Sequence, residues 1–435
     1  IKIIMETQMQ QEPKVPFFQT TTAKMIMVGI LTLVLIIPLA LVQELIVERS
    51  QRQKEVITET TAKWGNSVYF YGPILKVPYK DPISGAINNA YFFPETLNNK
   101  TEVTMVKPLE RSIYKSNVFT TKMQFDGNYT NPNFASKGIP AENIYWNRAK
   151  ILIRTTNLKS LKDEVKIKIG NQNLAFESVA TSSNDSIESL ETNYFDYQNL
   201  QNEAKFNFTI SFNGSKQVKM VPIGKTTDAK MTSNWNSPNF NGNFSPISRE
   251  ITDNGFEANW KILHFNRPFA QNYFEVLPEL GKYAFAVDFI TPVDEYQQNE
   301  RASKYGFLVI GLTFLIFFLI QSISKINIHI FQYSMIGIAL IMFYTLLISI
   351  TEHSTFSFAY LIAGASVIIM ISLYSISILK DKKFPMFIGA SLSVLYTFIY
   401  VIIQLEDYAL LVGSIGLFLI LAAVMYFSRK IEWNK

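Results

Sequence analysis

From Lys304 to Phe427 the chain is almost continuous hydrocarbon, broken only by brief polar turns. Five stretches, 305–322, 330–350, 356–379, 384–404 and 408–427, are nearly uncharged, and each is about 18–24 residues long, the length a spanning helix needs. At about 1.5 Å of rise per residue, each reaches across a hydrocarbon core of about 30 Å. Lipid offers no partner for free backbone N–H and C=O groups, so such segments must be helices. The pattern predicts five transmembrane helices and sets aside most readings as a soluble enzyme.

A sixth span lies far upstream. Met25 to Val42 reads MIMVGILTLVLIIPLALV and is apolar throughout. A secretory leader would have a shorter apolar core ending in small residues suited to cleavage. Here the helical pattern runs on through Glu44-Leu45-Ile46-Val47-Glu48-Arg49, which reads as an uncleaved anchor containing Pro38. Residues 43–64 interleave acidic and basic side chains, with no Gly or Pro before Gly65, and extend the anchor as a helix.

Beyond Gly65 the period changes from that of a helix to two. Val165, Ile167 and Ile169 alternate with lysines; Phe206, Phe208, Ile210 and Phe212 alternate with polar residues; Tyr283, Phe285, Val287 and Phe289 repeat the spacing. Alternation with aromatic and β-branched enrichment predicts half-buried strands. Asp126-Gly127, Asn213-Gly214 and Asn254-Gly255 read as turns between them. The polar, acidic stretch 180–203 reads as a mobile loop. About 240 residues of this pattern predict one large β-sandwich or two stacked lobes.

Charge changes the picture in two ways. The insert 44–303 carries 29 Lys/Arg against 28 Asp/Glu with no basic stripe, so nucleic acid is not an expected partner. Lys325, Lys380, Lys382, Lys383, Arg429, Lys430 and Lys435 gather at one set of helix ends, whereas the turns Thr351–Ser354 and Glu406–Asp407 carry no Lys or Arg. The lysine-rich ends are therefore expected in the cytoplasm. That leaves both termini inside and the insert in the periplasm. Around the first span the balance runs the other way, since Arg49, Arg52, Lys54 and Lys63 outnumber Lys2, Lys14 and Lys24. The contrast at the short C-terminal loops is sharper, and it decides the expectation.

Candidate chemistry is sparse. The chain has no cysteine, which excludes disulfides, thiolate metal sites and thiol catalysis. Its three histidines, His264, His329 and His353, form no i,i+4 pair. Gly224-Lys225-Thr226 lacks the upstream glycine of a phosphate loop and reads as a surface turn. Trp235, Phe240 and Phe244 lie among turn formers as a candidate contact motif, with the plugging of a sandwich end as the plainer reading. Glu352, His353, Glu406 and Asp407 occupy the two lysine-free turns, approached by Asp294, Glu295, Glu300, Arg301 and Lys304. Such a cluster binds a cation or relays protons in some membrane proteins, and elsewhere is a solvated turn or a docking ion pair. With no ionisable residue deep in a span, docking or solvation is the simpler expectation.

Several strings resemble the CreD family of bacterial inner-membrane, cell-envelope integrity proteins. They are Val47-Glu-Arg49, Trp64-Gly65 with Gly72-Pro73, Met231–Phe244, Gly255–Trp260, Pro292–Tyr296, Arg301–Tyr305, Phe331-Gln-Tyr333, Thr351-Glu-His353 and Gln404–Tyr408. The resemblance covers nearly the whole chain. Gln321 departs from it where an acidic residue is expected, as does Ile330 where proline usually follows the histidine. The sequence before Met25 is specific to this chain, with Met5 or Met9 as candidate starts. The resemblance implies a role in envelope integrity and tolerance of envelope-directed toxins, and supplies no catalytic residue.

These readings together predict a membrane protein of six transmembrane α-helices (1 + 5) with a large β-rich, sandwich-like extracytoplasmic domain inserted between helices 1 and 2. The expected divisions are a cytoplasmic tail 1–24, helix 25–43, periplasmic domain 44–303, five-helix bundle 304–427 and cytoplasmic tail 428–435. The expected role is a non-enzymatic, cofactor-free envelope protein. Its partners would be the lipid bilayer and other envelope proteins or components. A transporter or ion-coupled sensor using Glu352, His353, Glu406 and Asp407 is the alternative.

Overall fold

The computed structural model describes residues 21–156, 158–179, 187–200, 204–289, 295–324, 326–379, 383–405 and 408–429. It divides into two compact units, Lys54–Pro292 and the remainder of the chain. One helix, α1 (Thr21–Trp64), runs through the division without a break and carries Pro38 inside it.

The described residues of the remainder are mostly helical. After α2 (Glu295–Lys304) come α3 (Gly306–Ser324), α4 (Ile330–Thr351), α5 (Phe356–Leu379), α6 (Lys383–Gln404) and α7 (Ala409–Ser428). Among the described residues six helices, α1 and α3 to α7, are long and apolar enough to cross a membrane. Hydropathy predicts the ends of α3 to α7 to within two residues, because the bilayer sets where an apolar run must stop. Residues 295–303, grouped with the insert by hydropathy, form α2 instead. This helix buries Tyr296, Asn299, Ala302 and Ser303 and packs on α3, α4, α5 and α6. Its charged residues hide an amphipathic face that a hydropathy average cancels.

Helix contacts in the bundle rest on small residues that let backbones approach. A Cβ on Gly337 of α4 would overlap Leu35 of α1, and one on Gly306 would come within 2.7 Å of Leu39. Mid-helix positions form a shared apolar core that includes Phe314, Phe317, Leu340, Val367 and Leu392. None of the residues of α7 is buried.

The unit Lys54–Pro292 is built on strands. Val68–Lys80 pairs antiparallel with Lys150–Thr155 on one side. On the other it pairs parallel with Gln217–Met220 and then antiparallel with Ile87–Phe92. Ala204–Ser215, Val118–Tyr129, Thr96–Met105, Thr226–Ser233 and Gly255–Leu263 follow one another in a second group. Gln172–Val179 pairs into both groups and joins them. The groups face each other across one aromatic core, where Phe70 of the first stacks on Phe125 of the second at 4.3 Å and Phe125 on Phe208 at 4.8 Å. Each such pair contributes about 1 kcal/mol beyond its buried area.

The alternation expected in Ala204–Ser215 is present, with Phe206, Phe208, Ile210 and Phe212 buried. Three expectations change. Asn254-Gly255 does turn between paired strands, whereas Asp126-Gly127 and Asn213-Gly214 lie inside long strands. There Gly127 sits opposite Phe206 and Gly214 opposite Phe119 in the same antiparallel pair. Each glycine leaves room for the ring across from it, so these glycines mark close packing and not chain reversal. Within 180–203, Glu188–Thr192 is a paired strand and not a loop; residues 180–186 and 201–203 lie outside the described residues. Its acidic Glu191 is matched across the sheet by Lys76 at 2.7 Å and Lys150 at 2.9 Å, a compensation no local window contains. Finally, Tyr283 ends a 3-10 turn, and the strand begins at Phe285 with both faces covered.

Candidate functional site

Helix α4 ends where Thr351 turns its hydroxyl back onto the Leu347 carbonyl at 2.6 Å. Glu352 caps the helix, donating its backbone N–H to Ile348 at 3.1 Å, and His353 follows with an N–H to Ile350 at 3.0 Å. Local helix geometry therefore puts both side chains at one end of the bundle. Glu352 Oε1 lies 3.7 Å from Arg49 Nη1 of α1, with the carboxylate side chain 19% exposed. His353 is exposed. Glu406 and Asp407, the other half of the expected cluster, lie outside the described residues, as does Asp294.

Helix α2 joins this end of the bundle. Its Ser303 carbonyl accepts a hydrogen bond from Gln43 Nε2 of α1 at 2.8 Å, and Gln298 Nε2 donates to Gln404 of α6 at 3.5 Å. Glu300 pairs with Lys304 one turn on, at 2.8 Å. Asn299 is fully buried, donating to the Glu295 carbonyl at 2.9 Å, while its own Oδ1 has no hydrogen-bond partner. The arrangement brings Arg49 and Glu352 together and ties α2 to α1 and α6. Among the described residues no group of three or more His, Asp or Glu side chains is placed to hold a metal ion. A half-exposed arginine facing one carboxylate is an ion pair between helices, with little free charge left for a ligand.

Sequence patterning misses the polar groups inside the bundle, because a single tyrosine or glutamine within a long apolar run does not interrupt it. Tyr360 and Tyr396 pack on Phe343 at 5.2 and 4.6 Å, and the Tyr360 hydroxyl donates to the Tyr396 carbonyl at 2.8 Å. Toward the opposite end, Tyr333 donates to Gln321 Oε1 at 3.0 Å, both residues buried. A neutral amide at Gln321 accepts that bond without putting a charge into the bundle.

In the β-rich unit, Trp235, Phe240 and Phe244 pack partly buried against the main core. Phe240 meets Phe256 edge-on at 5.7 Å, Trp235 Nε1 donates to the Ser237 carbonyl at 2.8 Å, and the Phe244 carbonyl accepts from Trp260 Nε1 at 3.2 Å. Their polar handles are occupied within the fold. Lys225 of the Gly224-Lys225-Thr226 turn pairs with Glu95 at 2.6 Å. Arg267, which the sequence does not single out, is buried. It donates to the Phe269 carbonyl at 3.0 Å, to those of Ile223 and Gly224 at 3.3 and 3.2 Å, and to Gln271. Burial pushes its guanidinium down to about 10. Carbonyl acceptors make it a tie between loops.

Comparison with known proteins agrees with this architecture. The family described as "Inner membrane protein CreD" matches residues 20–434. Inner membrane protein CreD of Escherichia coli (strain K12) is 26% identical over 422 residues, 92% of this chain and 91% of that one. Among solved structures, a candidate nutrient-binding protein from Legionella pneumophila overlaps with a TM-score of 0.24. It is 11% identical and covers 52% of this chain and 77% of its own. An M1 zinc metallopeptidase from Deinococcus radiodurans overlaps at 0.20, with 8% identity and 45% and 42% coverage. Overlaps that small carry nothing over to this chain. The near-complete family match, with six apolar helices and a β-rich unit between the first two, makes this chain a multi-pass inner membrane protein belonging to the CreD family.

Proposed function

We propose that the chain is a non-enzymatic inner-membrane scaffold contributing to cell-envelope integrity and envelope stress tolerance. It would present its β-rich unit to the periplasm for contact with envelope components or other membrane proteins, with both termini in the cytoplasm. The orientation rests on the seven Lys and Arg residues of one set of helix ends against none in the opposite turns. The scaffold reading rests on one observation above others: the mid-helix layer containing Phe314, Phe317, Leu340, Val367 and Leu392 is buried and apolar. A coupled transport path needs polar groups linking the two faces, and these five positions offer none. The Arg49–Glu352 pair supports the same reading, since it engages the carboxylate that a transporter would use.

The test is rescue of a deletion strain under detergent and envelope-toxin challenge, at matched membrane levels. Wild type is compared with a chain carrying Glu352→Gln, His353→Gln, Glu406→Gln and Asp407→Asn. Equal rescue is expected. Rescue by wild type alone would replace the scaffold reading with the ion-coupled one, and a deletion without phenotype would remove the envelope role under those conditions.

A further inference from the structure

Ser248–Thr252 closes the strand order at one end of the β-rich unit. It pairs with Gly255–Leu263 across the Asn254-Gly255 turn, and among the described residues no strand pairs with its other side. All five of its residues are exposed. Such an edge presents a row of free N–H and C=O groups that a further extended chain can take up.

Charge along this edge is unbalanced. Glu250 lies directly opposite Glu257, a placement in which like charges destabilise a sheet. Thr232 and then Glu102 follow in the same row, so no cation stands beside Glu250 there. Lys230 matches Glu257 at 2.6 Å, but Glu250 has neither an ion pair nor a hydrogen bond among the described residues. On that face Glu250, Glu257, Thr232 and Thr252 border a hollow of about 250 Å³ that reaches to Asn254. Carboxylate, hydroxyl and amide oxygens line it, and all of them accept hydrogen bonds from a cationic head. On the other face Ile251 is 48% exposed, while the Arg249 guanidinium lies over the Phe240 ring at 5.7 Å.

We propose that this edge takes an extended segment of a partner protein as an added strand. A Lys or Arg of that segment enters the hollow between Glu250 and Glu257, and an apolar neighbour covers Ile251. Backbone pairing supplies affinity and the hollow supplies selection. A second copy of this chain fits poorly, because two-fold antiparallel pairing of Ser248–Thr252 about its centre brings the two Glu250 carboxylates face to face. Such a site rests on the scaffold reading and names the kind of protein that the β-rich unit holds.

The absence of native cysteine allows a test by disulfide capture on the full-length chain in detergent micelles. A Ser248→Cys chain is equilibrated in glutathione buffer with short peptides of alternating Thr and Val. These carry Lys or Glu at the centre and Cys two positions to either side. The Lys peptide should be captured about tenfold more than the Glu peptide, as attraction replaces repulsion at one cross-strand pair. Adding Glu250→Gln should remove most of that preference. Methylating alternate peptide amides should abolish capture for one of the two alternating sets, the one that pairs with the edge. Equal capture of the two peptides, a preference undiminished by Glu250→Gln, or capture indifferent to both methylated sets would each overturn the proposal. So would disulfide-linked pairs of Ser248→Cys chains that shut out the Lys peptide, which would put a second copy on the edge. Capture is read on purified protein and rescue in the deletion strain, so loss of one is distinguishable from loss of the other.

Discussion

Glycine performs the same task in the β-rich unit and in the helical bundle, but against different neighbours. In the strand pair Val118–Tyr129 and Ala204–Ser215, Gly127 and Gly214 face phenylalanines, and a Cβ on Gly127 would overlap the Thr96 carbonyl as well. In the bundle, a Cβ on Gly337 would meet the methyl end of Leu35. A backbone carbonyl in a paired sheet cannot move without breaking ladder hydrogen bonds, while a leucine tip can change rotamer. Gly127 is therefore specified more rigidly than Gly337. The driving forces differ too, since burial from water drives the sheet core and contact between helices drives packing in lipid.

The sharpest way to break this comparison is Gly127→Ala. It should cost about 3 kcal/mol, the upper part of the overpacking range, because the nearest obstacle is backbone. Thermal unfolding of the full chain measures it, and Phe206→Leu should not restore the loss. Recovery with Phe206→Leu would mean that the ring, and not the ladder, sets the constraint.

Glu191→Gln should follow, with a loss of about 2 kcal/mol at neutral pH, the worth of a hydrogen-bonded charge. Burial alone pushes the Glu191 carboxyl up, and hydrogen bonds from Lys76 and Lys150 outweigh it and hold the group below its ordinary range. A depressed folded value means the stabilisation is complete above the ordinary carboxylate value and disappears as pH falls through the lowered one. The gap between wild type and Glu191→Gln should therefore close on acidification, and a gap constant with pH would remove the charge from the explanation.

Gly337→Ala should cost less, about 1–2 kcal/mol, because a side chain absorbs the clash. In a Leu35→Ala background most of that cost should vanish, unlike the strand case. Additive losses in the double variant would show that the helices are as unyielding as the sheet. Smallest is Glu352→Gln, expected below about 1 kcal/mol because Arg49 is half exposed and 3.7 Å away. A double-mutant cycle with Arg49→Gln reads the coupling, and a value of several kcal/mol would give the pair a larger structural part than its geometry suggests.

The two units were also unequally legible. Hydropathy delimits α3 to α7 closely but assigns 295–303 to the wrong unit, because α2 mixes Glu300, Arg301 and Lys304 with the buried Tyr296, Asn299 and Ala302. The alternation in Ala204–Ser215 is read correctly, whereas Gly127 and Gly214 mislead because a glycine looks alike in a turn and opposite a ring. At the candidate site the sequence brings out Glu352 and His353, and Arg49 only as a flanking charge; its pairing with Glu352 joins residues about 300 positions apart, beyond any local signal.

The sequence alone determines that there are six spans, where the last five begin and end, that a β-rich segment separates the first from the rest, and that thiol chemistry is absent. Those properties follow from length, period and composition, which are local. Tertiary structure alone decides that Val68–Lys80 runs parallel to Gln217–Met220, that Glu191 is neutralised by Lys76 and Lys150, that Gln321 bonds Tyr333, and that Glu250 faces Glu257 at a sheet edge. Each depends on which distant residues meet, and pairing across a sheet or a bundle is set by the packing of the whole core, not by any window of the chain.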